Sequence, residues 1–149
     1  MRKIKRNSQI DWAVWHLVEH LILASAIGVL AWILTKSCLL GLAVGILNIS
    51  LDFDHLLEYL FWSKGEFVLE DFLTGKFFEG KETVWVIFHA WEYALLGIPF
   101  YLLTKNMVWV IFSISISLHL LFDQFIYKKD SKFYFLTYRI LKKFDKRRL

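Results

Sequence analysis

Histidine and carboxylate recur together inside the apolar stretches of this chain, a placement that few folds tolerate. His16, His20, His55, His89 and His119 each have an acid within four residues, the acids being Glu19, Asp52, Asp54, Glu58, Glu92 and Asp123. An ionisable group at membrane depth costs several kcal/mol, so it persists where it is paired and where it does something. Imidazoles and carboxylates drawn from several helices are the donor set of one or two divalent metal ions. The single Cys38 excludes an internal disulfide and a cysteine-based zinc site, so a metal centre rests on His, Asp and Glu.

The background is a membrane composition: 57% hydrophobic and 18% aromatic residues, with one proline in 149 positions. Four stretches, 11–35, 38–62, 83–104 and 107–127, reach the roughly 20 residues that a helix needs to cross a bilayer. The links at Lys36 and Lys105 are very short, so the spans should pair as two antiparallel hairpins. The expected fold is an all-α, polytopic membrane protein, a single embedded domain over 1–149. The link at 63–82 is mixed in charge and carries Phe67, Phe72 and Phe77; a surface-lying segment and a solvated loop both fit it. MRKIKR followed by Ala24-Ser25-Ala26 has the outline of a signal peptide, but an apolar region holding His16, Glu19 and His20 would be a poor one.

Lys and Arg number four before the first span, three in the 63–82 link and nine after the last span, against Lys36 and Lys105 on the other side. The positive-inside rule then puts both termini in the cytoplasm of a multi-pass protein of the cell membrane. In that topology His16, His20, Asp54, His55, His89, Glu92, His119 and Asp123 all fall within roughly 6–14 Å of the cytoplasmic edge, at 1.5 Å per residue. His16 with His20, His89 with Glu92, and His119 with Asp123 are three or four apart and share helical faces. Asp52 and Asp54 would lie about 200° apart on a regular helix, which predicts a break between Asn48 and Asp54.

His20, Asp54, His55, His89, His119 and Asp123 are therefore expected to be direct ligands, and Asp52 and Glu92 further ligands or the general base. His16, Glu19 and Glu58 are expected to support them from the side. Gly28, Gly41 and Gly45 read as close-packing positions, and Trp12, Trp15, Trp62, Trp85, Trp91 and Trp109 as belt and packing residues. In the basic tail 128–149, Phe133, Leu136, Ile140 and Phe144 share one helical face, which predicts an amphipathic helix on an anionic leaflet; membrane lipid rather than nucleic acid is the expected partner.

The ordered motifs resemble a known family. Glu19-His20-Leu-Ile, Asp52-Phe-Asp54-His55, His89 and Ser117-Leu-His119-Leu-Leu-Phe-Asp123 are similar, in this order over about residues 19–123, to the YdjM-like inner-membrane-associated predicted metal-dependent hydrolases. Two positions depart from the pattern. Leu51 stands in place of the family's proline, and His89-Ala-Trp-Glu92-Tyr offers Glu92 where the family has a second histidine. The resemblance implies a metal-dependent hydrolase at the cytoplasmic membrane face, acting on a phosphoester or lipid substrate. Zn²⁺ is the first choice of ion, with Mn²⁺ or Fe²⁺ next, because each can activate a water and polarise an ester. The rival readings are a divalent metal-ion transporter, for which four spans per protomer would call for a homodimer, and a di-iron membrane oxidoreductase.

Overall fold

A computed structural model describes residues 2–73, 81–127 and 130–149, and within these it leaves the side chains of 2–13, 16 and 127 undescribed. Among the described residues the chain is helical, with one isolated bridge between Thr83 and Asp145. A 34-residue helix α1 (Arg2–Thr35) ends where Lys36 turns to φ 57°, and Ser37 caps α2 (Cys38–Ser50) by accepting the Leu40 N–H at 3.2 Å. This short turn folds α2 back onto α1. The pair approaches closely because Gly28 and Gly41 lack side chains: a Cβ at Gly41 would sit 2.6 Å from the Gly28 carbonyl. Ile27, Ala31 and Val44 fill the rest of that seam.

The break expected near Asp52 is present. α2 stops at Ser50 and α3 (Phe53–Trp62) begins after two intervening residues. Asp52 N–H donates to the Ile49 carbonyl and His55 N–H to that of Asp52, both at 3.1 Å, so the turn is locally tightened to i→i−3 bonding. This changes the angular step between Asp52 and Asp54 without reversing the chain. A short α4 (Leu69–Leu73) follows in the link, held by the Tyr59 hydroxyl, which accepts from Val68 N–H at 3.1 Å and donates to its carbonyl at 3.2 Å. Phe67 and Phe72 pack on the Tyr59 ring, whereas Phe77 lies outside the described residues.

The third segment corrects the sequence expectation. Residues 81–90 are not helical, and α5 runs only from Trp91 to Thr104. Side chains from elsewhere satisfy this extended backbone: Trp85 N–H donates to Glu58 Oε1 at 2.8 Å and Phe88 N–H to Asp54 Oδ2 at 2.7 Å. Non-helical backbone persists among apolar helices only with such partners. After a left-handed Lys105, α6 (Val108–Tyr127) packs along α5, and Gly97 admits Ser113 and the Trp109 carbonyl. Three helical stretches, Leu17–Thr35, Cys38–Trp62 and Val108–Ile126, are long and apolar enough to cross a membrane. At 14 residues α5 measures roughly 21 Å and is short for a bilayer core.

The tail is also corrected. In place of one amphipathic helix over 133–144 there is a 3₁₀ turn (Ser131–Tyr134) and a six-residue α7 (Leu136–Leu141). Tyr134 is buried with Leu51, Ala94, Ile116 and Leu120, while Ile140 is exposed. Lys143 and Phe144 then adopt positive φ, and the Phe144 ring stacks on Trp85 at 4.6 Å. The tail thus folds back onto the 81–90 segment. Gly41→Leu, which forces a side chain into the α1–α2 seam, is expected to destabilise the protein by about 1–3 kcal/mol. A lowered thermal unfolding midpoint in detergent, with no comparable loss for Leu39→Ala on the exposed face, checks this.

Candidate metal centre

Four side-chain atoms from three segments converge below the α2–α3 break. His89 Nε2 lies 3.1 Å from His119 Nε2, 3.2 Å from Asp52 Oδ1 and 3.3 Å from Asp123 Oδ2. His119 Nε2 lies 3.5 Å from the same Asp52 oxygen and 3.6 Å from the same Asp123 oxygen. A tetrahedron's edge is about 1.6 times its centre-to-corner distance, so bonds of 2.0–2.2 Å require donors roughly 3.3–3.6 Å apart. Three of these contacts, at 3.3, 3.5 and 3.6 Å, have that spacing and the two at 3.1 and 3.2 Å are slightly shorter, and the four residues could hold a metal ion.

The surrounding bonds decide which ring nitrogen carries hydrogen. Asp54 Oδ2 accepts from Phe88 N–H and lies 3.2 Å from His89 Nδ1; a carboxylate can only accept there, so His89 Nδ1–H donates. Asn48 is oriented by its amide group, which donates to the Ser115 carbonyl at 3.0 Å and to Ser115 Oγ at 3.1 Å. Its Oδ1 is thereby turned to His119 Nδ1 at 3.4 Å, as the acceptor. With a cation between them, both imidazoles would be neutral and each would offer its Nε2 lone pair beside the two carboxylate oxygens. Four acceptors pointing at one place repel unless a cation or added protons lie between them, which is how outer carboxylates and amides prepare histidine for metal.

His20 does not belong to this four-atom group. Its Nδ1 is 3.1 Å from Asp52 Oδ2 and its Nε2 3.1 Å from Asp123 Oδ1, so it ties together the outer oxygens of the two carboxylates. Asp54 and His55 form a neighbouring group with His89, in which the His55 and His89 rings are 4.8 Å apart. The two groups share the His89 imidazole, the first at Nε2, while Asp54 lies at its Nδ1. Glu58 is buried against the extended segment, its carboxylate 3.4 Å from Lys81 Nζ. Glu19 is exposed, and the His16 side chain lies outside the described residues. Glu92 is taken up elsewhere: it accepts from Leu136 N–H, Thr137 N–H and the Thr137 hydroxyl at 2.7–2.9 Å, anchoring the start of α7 rather than the cluster.

Arg139 was not among the residues singled out by spacing. It is fully buried, and its guanidinium donates to the carbonyl of Val86 and, at 2.7 Å, to that of His89. Burial pushes its guanidinium down from the ordinary value, and the Asp54 and Glu92 carboxylates oppose that shift. A permanently charged side chain from the tail therefore fixes the backbone that presents His89. In the sequence it is one of nine basic residues after the last span, and no local pattern marks it out. Asn48 was marked only as the edge of the expected break.

No family model matches this chain, and no match was found among curated proteins or solved structures.

Removing a group that orients a metal-binding histidine typically weakens metal affinity about 10–100-fold. Asp54→Ala is expected to fall in that range, and Arg139→Ala to lower affinity as well, with partial recovery in Arg139→Lys. Glu92→Gln should leave affinity near wild type. Titration of the purified proteins with Zn²⁺ against a competing chelator checks all four.

Proposed function

We propose that this protein is an integral-membrane metal-dependent hydrolase that acts at the cytoplasmic membrane face on a phosphoester or lipid substrate. The observation that carries the reading is the four-donor group with one accessible corner: Asp52 has a side chain 31% exposed, whereas those of His89, His119 and Asp123 are at most 4% exposed. A buried centre open at one corner suits a reaction in which substrate and water approach from one side. The ordered His and Asp motifs, and the membership in the YdjM-like family that they suggest, agree with this reading. Four membrane passes with both termini cytoplasmic complete it, the third pass being made by α5 with the extended residues before it.

In this proposal Zn²⁺, or Mn²⁺ or Fe²⁺ in its place, would be held by Asp52, His89, His119 and Asp123, and would supply Lewis acidity and an acidified water. His89 and His119 stay fixed, each gripped at Nδ1 by Asp54 or Asn48. Asp52, the exposed corner of the group, would face the substrate, and its carboxylate is placed to accept a proton as general base. His20, between Asp52 and Asp123, limits how far either carboxylate moves and can carry a proton from one to the other. Asp54 and His55 line the far side of His89 and complete the polar wall.

Elemental analysis of protein purified without added metal is expected to show about one bound ion per chain. His119→Ala is expected to lose that ion together with any hydrolysis across a panel of phospholipids and soluble phosphoesters. Wild-type protein that neither contains nor takes up a divalent ion would overturn the proposal. So would metal-ion flux in proteoliposomes with no hydrolysis in the panel, an outcome that points to transport instead.

A further inference from the structure

Two apolar cavities on the outer face of the α1–α2 hairpin share Ile46 and Ile49. One, about 380 Å³, reaches from these residues along α2 to Cys38 and Trp32. The other, about 440 Å³, continues in the opposite direction and is lined by Ser50, Asp52, Phe53 and Leu56. Both volumes lie in the range of small-ligand sites. Three of its lining positions, Gly28, Gly41 and Gly45, are glycines whose backbones meet in the helix seam and form its floor. At 1.5 Å per residue the path from Cys38 to Asp52 is roughly 21 Å.

We infer that this groove is the binding site for one hydrocarbon chain of a membrane lipid whose polar end is presented to Asp52. The inference rests on the hydrolase reading for what happens at the polar end, and on the groove alone for where the chain lies. It joins an apolar stretch to a carboxylate, the two chemistries of one amphiphile. Its one charged side chain is Asp52, the accessible corner of the cluster, and apart from Ser25, Ser50 and Cys38 the rest of its lining is apolar side chain and glycine. The direction also matches a lipid within a leaflet: the cluster sits at one end of the hairpin, and the groove runs from it along helices long and apolar enough to cross the membrane. An ordinary lipid-facing helix surface offers a hydrocarbon chain neither a recess nor a carboxylate at its end. A soluble phosphoester would have no use for the groove, so the substrate class narrows to long-chain lipids with a hydrolysable headgroup.

The test uses the full-length protein in dioleoylphosphatidylcholine nanodiscs containing a phosphatidylcholine with a photoactivatable diazirine at the end of one acyl chain. Crosslinks are expected to concentrate between Cys38 and Ile46. Ile46→Trp fills the recess from an exposed position, so it tests the groove without disturbing the helix seam. It should reduce these crosslinks about tenfold or more, the discrimination a filled apolar pocket achieves, while metal content stays at the wild-type level. Leu102→Trp, on the exposed face of α5, should change neither. Crosslinks spread evenly over Leu42, Leu95 and Leu102, or unaffected by Ile46→Trp, would mean ordinary lipid contact and overturn the inference. If crosslinks concentrate in the groove but no lipid or phosphoester is hydrolysed, the chain site stands and the hydrolase reading falls.

Discussion

The structure turns on the meeting of two imidazole nitrogens and two carboxylate oxygens among apolar helices. In water this would be trivial, since each acceptor would have its own hydration. In a low-dielectric bundle each must find a positive partner within the protein, and breaking a buried polar arrangement costs several kcal/mol. The arrangement of the chain around the cluster follows from that requirement. His20 occupies the outer carboxylate oxygens, Asp54 and Asn48 occupy the outer imidazole nitrogens, and the inner four atoms face one another.

The helices that bring these residues together are shaped to suit. The glycine-lined seam holds α1 against α2, so that His20 reaches both Asp52 and Asp123. The tightened turn after Ser50 lets two aspartates two residues apart take opposite nitrogens of the same ring, Asp52 at His89 Nε2 and Asp54 at Nδ1. The extended 81–90 segment is the remaining requirement, because a helix there would satisfy its own carbonyls and leave nothing for Arg139 to hold. Its backbone is fastened to α3 by Glu58 and Asp54 and to the tail by Arg139. Tail, link and cluster are one connected polar network inside an otherwise apolar molecule.

Much of this was legible before any coordinates. Apolar length and period identify the helices, and helical spacing puts His119 and Asp123 on one face. The counted depths bring His20, Asp54, His55 and His119 to a common level, and the 200° angle between two aspartates demands an irregular turn where one occurs. These are consequences of local geometry, which repeats every few residues and needs no knowledge of the chain's path. Other features escaped because they depend on partners far away. Glu92 looked like a member of the site because it lies three residues after His89, but it bonds Thr137, 45 residues on. The 83–90 stretch is apolar enough for a span and is extended only because Glu58, Asp54 and Arg139 supply its bonds.

The sequence by itself determined that this is an all-helical, membrane-type chain with a shared polar level, since hydropathy, length and helical period act residue by residue. Only the tertiary structure decided how the roles divide: which aspartate faces the centre and which orients a histidine, that His20 ties two carboxylates, and that a tail arginine holds the His89 backbone. The physical reason is distance along the chain. A contact such as Arg139 to His89 spans 50 residues, and its existence depends on packing and on the satisfaction of buried polar groups, neither of which leaves a periodic trace in the sequence.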